Sequence, residues 1–142
     1  MDALDRFLVF TINSVKYAIP LLLSKEIIRT EYNNVFYDTG ELKMLIKNSM
    51  GDFIELKDIN KDLGLGKSPH GEGENVTIIS LNKGEISFAF PVCSVNNITD
   101  SENYRIADAP KLIKGSGLVN KILINNTKES ELISIIDFPS MI

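Results

Sequence analysis

The chain has 142 residues, a length typical of one domain, and its 44% hydrophobic and 24% charged content is that of an ordinary soluble protein. Its formal net charge of -4, with the basic residues scattered, argues against nucleic acid as the main partner. One cysteine permits no internal disulfide, and no apolar run approaches the roughly 20 residues that span a bilayer. We therefore expect a cytoplasmic protein with no membrane insertion.

The first predicted elements are two strands joined by a tight turn. From Phe7 to Ile12 apolar side chains occupy both faces, which is typical of a strand covered on both sides. Asn13-Ser14 supplies turn chemistry, and a period of two resumes at Tyr17. Pro20 cannot donate a ladder hydrogen bond, so it marks a strand edge or a bulge.

The next segment is predicted to be short and partly helical. Ser24 is expected to cap a helical turn, after which Ile27 and Ile28 return to the core. Tyr32 to Glu41 has the composition of a loop, and apolar residues resume from Leu42 to Ile46.

The middle of the chain contains a turn, a strand and a long loop. Residues 48–52 form the turn, and Phe53 to Leu56 form the strand. Asp58 is a plausible N-cap for a short helix that ends before Gly64. Gly64 to Asn75, with four glycines and one proline, is the most loop-like stretch.

The second half of the sequence predicts four more strands. The second of them alternates strictly between its two faces, which places Phe88 and Phe90 in the core. The predicted strands are Val76 to Leu81, Ile86 to Val92, Gly115 to Ile124 and Glu131 to Ile136; Asp100 to Pro110 reads as a polar linker and Asp137 to Ile142 as a closing helical turn. Some eight to ten short strands with turn-length connections indicate one or two small antiparallel barrels.

Residues with catalytic chemistry are sparse. His70 is the single histidine and lies in the glycine-rich loop, and Cys93, at an apolar strand end, reads as a small buried hydrophobe. One histidine and one cysteine cannot form a zinc site, which takes at least three protein ligands. We therefore expect no enzyme, no cofactor and no metal, although a small enzyme or ligand-binding barrel that uses His70 or Cys93 stays open as a third hypothesis.

In order and spacing, these residues resemble the CheW-like domain of bacterial chemotaxis. The similar stretches are Phe7 to Thr11, Tyr17 to Pro20, Glu26 to Arg29, Gly51 to Ile59, Phe88 to Ile98 and Ile113 to Asp137. The resemblance implies a mainly all-β fold, in which residues 1–142 form one domain of two packed SH3-like five-stranded antiparallel β-barrels with a few short helices. It also implies a non-catalytic adaptor that couples chemoreceptor cytoplasmic tips to the regulatory domain of a CheA-type histidine kinase.

The sequence departs from that family at several positions expected to face partners. The family usually has Asn-Leu-Arg-Gly where this chain has 48–51, so its arginine is replaced by Met50, which lacks the planar charged fork. The family's usual aspartate is replaced by Cys93, and Ser24 stands where an apolar residue is usual. By resemblance, the predicted partner-binding residues are Met50, Gly51, Ser24, Ile28, Cys93 and Val95.

Two further interpretations follow from these departures. A divergent CheW-like domain could dock a different signalling partner or itself, since the arginine of the family is lost. Alternatively, Met50 is a surface hydrophobe with no role, and Ser24 and Glu26 are a simple cap and a solvated side chain.

Overall fold

The protein is built almost entirely of β-strands. The structure is a computed structural model that describes residues 6–31, 34–41, 43–57, 59, 75–83, 86–100, 102–109, 119–127 and 131–136, without the side chains of residues 83, 86 and 120. Its strands are β1 (Arg6–Ile12), β2 (Val15–Pro20), β3 (Ser24–Glu31), β4 (Phe36–Asp38), β5 (Lys43–Lys47), β6 (Phe53–Leu56), β7 (Asn75–Lys83), β8 (Ile86–Val92), β9 (Ser94–Asp100), β10 (Tyr104–Asp108), β11 (Val119–Asn125) and β12 (Leu132–Ile136). A 3₁₀ turn, Leu21–Leu23, joins β2 to β3.

The strands form two six-stranded sheets. Sheet 1 has the order β9-β1-β2-β12-β11-β10, and sheet 2 has the order β3-β7-β8-β6-β5-β4. All neighbours are antiparallel except one parallel pair in each sheet, β2 with β12 and β6 with β8. The N-terminal hairpin therefore completes the sheet formed by the C-terminal third of the chain.

The two sheets have the same topology, with one of them circularly permuted. In each, a flanking strand (β3 or β9) precedes a three-stranded meander (β4–β6 or β10–β12), and a hairpin (β7–β8 or β1–β2) lies between them. Both hairpins have two-residue connections, and both flanking strands carry one extra residue at the same place, Lys25 and Asn96. Each position in one sheet thus has a quasi-equivalent position in the other.

The buried apolar side chains of the described residues form four clusters, and three of these contain residues of the two hairpins. Phe7, Val9 and Ala18 help to fill sheet 1, while Ile78 and Ala89 help to fill sheet 2. The third and largest core lies between the sheets, where the opposite faces of the two hairpins meet: Leu8, Phe10, Ile12, Tyr17, Ile19, Ile79, Leu81, Phe88, Phe90 and Val92, with Ile59 and Ile136. The predicted all-β architecture of two packed barrels is confirmed, with six strands in each sheet where the resemblance implied five.

The first hairpin matches its prediction in detail. Phe10 is fully buried between the sheets, and Val9 is buried on the opposite face of the same strand. Asn13 and Ser14 have φ of 48° and 68°, as a type I′ turn requires. The turn therefore depends on the positive φ that both residues tolerate. Pro20 is the last residue of β2 and is paired with Phe7 at the end of the ladder.

Two segments predicted as loop or linker contain strands. Within Tyr32 to Glu41 the structure has β4, and within Asp100 to Pro110 it has β10. Both are edge strands that pair through the backbone of one neighbour, β5 or β11, so the polar residues that surround them in the sequence do not prevent strand formation. The number of strands is therefore twelve in the described residues, above the eight to ten expected.

The sequence predicts that Ser24 caps a helical turn, and this prediction is wrong. Ser24 follows the 3₁₀ turn and starts β3, where its hydroxyl donates to the Leu21 carbonyl at 2.8 Å. In a strand, neighbouring side chains point to opposite faces, so Ile27 and Ile28 do not both return to the core. Ile28 packs in sheet 2 and Ile27 is exposed. The predicted helix after Asp58, most of the Gly64 to Asn75 loop and the closing turn from Asp137 lie outside the described residues.

Candidate functional site

The turn between β5 and β6 is held by its own hydrogen bonds. The side-chain oxygen of Asn48 accepts from the backbone N–H groups of Met50 at 3.0 Å and Asp52 at 2.9 Å. The backbone adds two bonds, from Asn48 N to the Asp52 carbonyl and from Gly51 N to the Asn48 carbonyl. Asn48 is buried although it is polar, and its side-chain oxygen and both its backbone groups are paired, as buried polar groups generally are.

This turn presents one large apolar side chain to solvent. Met50 is 78% exposed at the tip, directly before Gly51. Gly51 has a φ of 86°, and an added Cβ there would meet nothing within 4 Å. Glycine is thus favoured at position 51 because of its positive φ, and not because a larger side chain would clash with its neighbours. A methionine on a rigid, hydrogen-bonded turn loses little backbone entropy when it is buried by a partner.

Strand β3 lies beside this turn and is tied to it. Glu26 accepts a hydrogen bond from Ser49 N at 3.1 Å through its Oε1 atom. Ser24 and Ile28 are both half-buried on the strand that carries Glu26. This bond brings β3 next to the turn that carries Met50 and Gly51, but the Ile28 side chain packs against the core of sheet 2 and not beside Met50.

Cys93 and Val95 lie on sheet 1, beside the β1–β2 turn. Cys93 N donates to the Thr11 carbonyl at 2.8 Å, and its Sγ atom accepts from Asn13 N at 3.3 Å. The prediction that Cys93 is buried is wrong, because it occupies the bend between β8 and β9, where the strand has left the core. Val95 is half-buried against the core between the sheets.

One residue of each group, Ser24 and Val95, is related to the other by the repeat. Ser24 pairs with Leu81 and Val95 pairs with Phe10, which are quasi-equivalent positions of the two hairpins. Two residues beyond each extra residue, Ile27 and Ile98 are quasi-equivalent as well, and both are exposed. Sequence reasoning therefore predicted the same strand position in both sheets, although the repeat cannot be recognised in the sequence.

Three contributions were missed by sequence reasoning. The bond from Ser49 to Glu26 joins residues 23 positions apart, and no local pattern signals it. The role of Asn48 was detectable, since an asparagine two residues before a turn tip is typical of an Asx turn. Leu22 is 97% exposed, and a run of three leucines in one 3₁₀ turn cannot bury every member.

The described residues offer little catalytic chemistry. They contain no group of three or more His, Cys, Asp or Glu side chains that could hold a metal ion, and His70 lies outside them. An open groove of about 610 Å³ lies at the far end of β3 and includes Arg29, Asn34 and Thr77. Among the residues that the structure describes, no helix has the length and apolar character needed to cross a bilayer.

Replacing Asn48 with alanine is expected to destabilise the protein by about 1–3 kcal/mol, because two backbone N–H groups of the turn lose their acceptor. Asn96→Ala is a matched control, since the Asn96 side-chain oxygen accepts an exposed hydrogen bond from the Thr11 hydroxyl. We expect this variant to lower the free energy of unfolding by less than about 0.5 kcal/mol. Urea unfolding measures both. Equal losses in the two variants would show that Asn48 does not organise the turn.

Comparison with known proteins identifies the fold. No protein-family model and no curated protein matches the chain. Among solved structures, the chain is similar to the scaffolding protein TtCheW from Thermoanaerobacter tengcongensis, with a TM-score of 0.69 and 18% sequence identity. The match covers 96% of this chain and 86% of the other. The chain therefore has a CheW-like fold, and its sequence has diverged far from that of TtCheW.

Proposed function

We propose that this chain is a non-catalytic adaptor of bacterial chemotaxis signal transduction. It would join chemoreceptor cytoplasmic tips to the regulatory domain of a CheA-type histidine kinase, in the cytoplasm, through protein contacts alone. The observation that carries the proposal is the CheW-like fold over 96% of the chain, shared with a scaffolding protein. The dispersed carboxylates and the single histidine and cysteine support a binding role over catalysis.

The partner contact is proposed to centre on Met50. Its side chain is large, apolar and exposed, and Asn48, Gly51 and Glu26 hold the turn below it. Apolar anchors on preorganised elements typically dominate interface energy, because little entropy is lost on binding. The proposed face contains Met50, Gly51, Ser24 and Ile28 on sheet 2, with Cys93 and Val95 at the related position of sheet 1.

Titration of the protein with the regulatory domain of the cognate kinase tests this proposal. We expect saturable binding, weakened about 10-fold by Met50→Ala, which corresponds to about 1.4 kcal/mol. Leu132→Ala removes another exposed apolar side chain, on the opposite sheet, and should leave binding unchanged. Absence of binding at high micromolar concentration would refute the adaptor role for that kinase.

A second candidate is a CheW-like domain that docks a different signalling partner or another copy of itself. Met50 favours it, because a thioether cannot reproduce the bidentate hydrogen bonds of an arginine. Met50→Arg separates the two possibilities. Gained coupling to a receptor and kinase would indicate an altered adaptor, whereas loss of an existing partner would indicate changed specificity.

A further inference from the structure

An exposed aromatic surface lies on the outer side of the β4–β6 meander. We call it the aromatic face and define it as Phe36, Leu45, Lys47 and Phe53. The register places Phe36 opposite Leu45 and Lys47 opposite Phe53, so that these side chains share one side of the sheet. The Phe36 and Phe53 rings meet edge to face at 5.4 Å, and the Lys47 Nζ atom lies 5.2 Å from the Phe53 centroid. Phe36 is 46% and Phe53 52% exposed.

The quasi-equivalent surface of sheet 1 is different. There, Ala107 replaces Phe36, Ile122 replaces Leu45 and Ile124 replaces Lys47. These residues belong to a separate apolar cluster in which Ile122 is only 4% exposed. On sheet 1, therefore, apolar packing covers most of this side of the meander and leaves Leu132 exposed, whereas on sheet 2 the same side exposes two phenylalanines and a lysine. Large aromatic side chains left exposed together are typical of a binding surface.

The charges around the aromatic face show what a partner should carry. Lys43 lies 2.6 Å from Glu41, and this hydrogen bond and charge raise the pKa of Lys43 above its usual value. Lys57 lies 3.9 Å from Glu55. Lys47 has no ion pair with any residue in the described part of the chain. The Lys47 ammonium beside the Phe53 ring is thus available to a carboxylate of a partner.

We propose that the aromatic face binds one amphipathic helix of a partner protein, with an apolar stripe flanked by a carboxylate that pairs with Lys47. A second copy of the chain fits less well, since a stable interface takes roughly 20–30 residues a side and this face has four. A single helix presents its apolar residues at i, i+3 or i+4 and i+7, which matches a compact patch of side chains. The face adjoins the turn that carries Met50, since Lys47 and Phe53 flank it, but it shares no residue with those assigned to kinase binding, and the proposal does not depend on that role.

Two synthetic amphipathic helices test the proposal by NMR titration of the full chain. Both have leucines at i, i+3, i+4 and i+7; one has glutamates beside the stripe and the other has lysines. We expect the acidic peptide to shift the amide signals of Phe36, Leu45, Lys47 and Phe53 and to bind about 10-fold more tightly than the basic one. Shifts confined to other surfaces, or equal affinity for both peptides, would overturn the proposal.

Substitutions assign the binding to individual side chains. Phe53→Ala should weaken binding of the acidic peptide about 10-fold. Lys47→Ala should reduce the ratio of the affinities for the acidic and the basic peptide by about 5-fold. Leu132→Ala is the matched control, because Leu132 is quasi-equivalent to Phe53 and 45% exposed; binding should not change. If the wild-type chain dimerises in sedimentation experiments and Phe53→Ala abolishes this, a second copy occupies the face and the helix proposal is wrong.

Discussion

A chain that lacks residues 1–22 is expected not to fold, whereas a circular permutant that carries the same residues after Ile142 is expected to fold. The deleted hairpin supplies eight buried side chains: Phe7, Leu8, Val9, Phe10, Ile12, Tyr17, Ala18 and Ile19. Burial of a large apolar side chain contributes about 1.5–3 kcal/mol, so the seven larger ones together contribute about 10–21 kcal/mol, at least as much as the roughly 5–15 kcal/mol by which a typical domain is stable. Strands β9 and β12 would also lose their β1 and β2 partners.

The permutant can restore these contacts because the end of β12 and the start of β1 lie close together. Ile135 pairs with Ala18, and Pro20 pairs with Phe7, so β12 ends at the same end of sheet 1 at which β1 begins. The end of β12 and the start of β1 are separated by about two strand spacings, or roughly 10 Å. A segment with the combined length of residues 137–142 and 1–5 can span this distance. The new termini fall at Leu22, which is 97% exposed.

Urea unfolding and NMR signal dispersion measure the outcome. We expect the free energy of unfolding of the permutant to lie within about 2 kcal/mol of that of the parent, since one connection is opened, another is closed and the buried contacts are kept. The shortened chain should show no cooperative transition. A cooperative transition near the midpoint of the parent would mean that sheet 2 is stable without the hairpin.

Phe10→Ala is expected to destabilise the protein by about 3–5 kcal/mol, because it opens a cavity where the two barrels meet. Phe10 is fully buried, and its ring lies 5.3 Å from that of Phe90 and 6.1 Å from that of Tyr17. It thus touches both hairpins, and the gap cannot be closed by one of them alone. Urea unfolding with a shared slope gives the change in free energy.

Two variants make this result specific. Phe10→Leu keeps most of the side-chain volume and should be less destabilising than Phe10→Ala. Tyr37→Ala removes the aromatic ring of a residue that is 60% exposed, and we expect it to lower the free energy of unfolding by less than about 1 kcal/mol. A loss as large for Tyr37 as for Phe10 would contradict the assignment of the main core to the contact between the hairpins.

Much of the strand pattern could be read directly from the sequence. The alternation around Phe88 and the two apolar faces around Phe10 correspond to β8 and β1. Asn13-Ser14 marked a turn that the structure confirms. The edge strands β4 and β10 were missed because each is short and lies within a segment of largely polar composition, where three to five residues show no clear alternation.

The candidate site was predictable in part. Met50 was singled out because it replaces an arginine, and the structure places it at the exposed tip of a turn. The bond from Ser49 N to Glu26 that holds this turn could not be predicted, since it depends on how β3 lies against the β5–β6 connection. The aromatic face was not predicted either, because Phe36 lay in a segment read as a loop.

By itself, the sequence determined which residues extend, where most turns fall and which faces are apolar, since these depend on neighbours within a few positions. Only the tertiary structure decided which strands pair: the N-terminal hairpin joins the C-terminal meander, and the two sheets repeat one topology. Backbone hydrogen bonds are chemically the same for every strand, so local sequence cannot specify a distant partner. The choice is made by how the buried faces of the hairpins fit across the shared core.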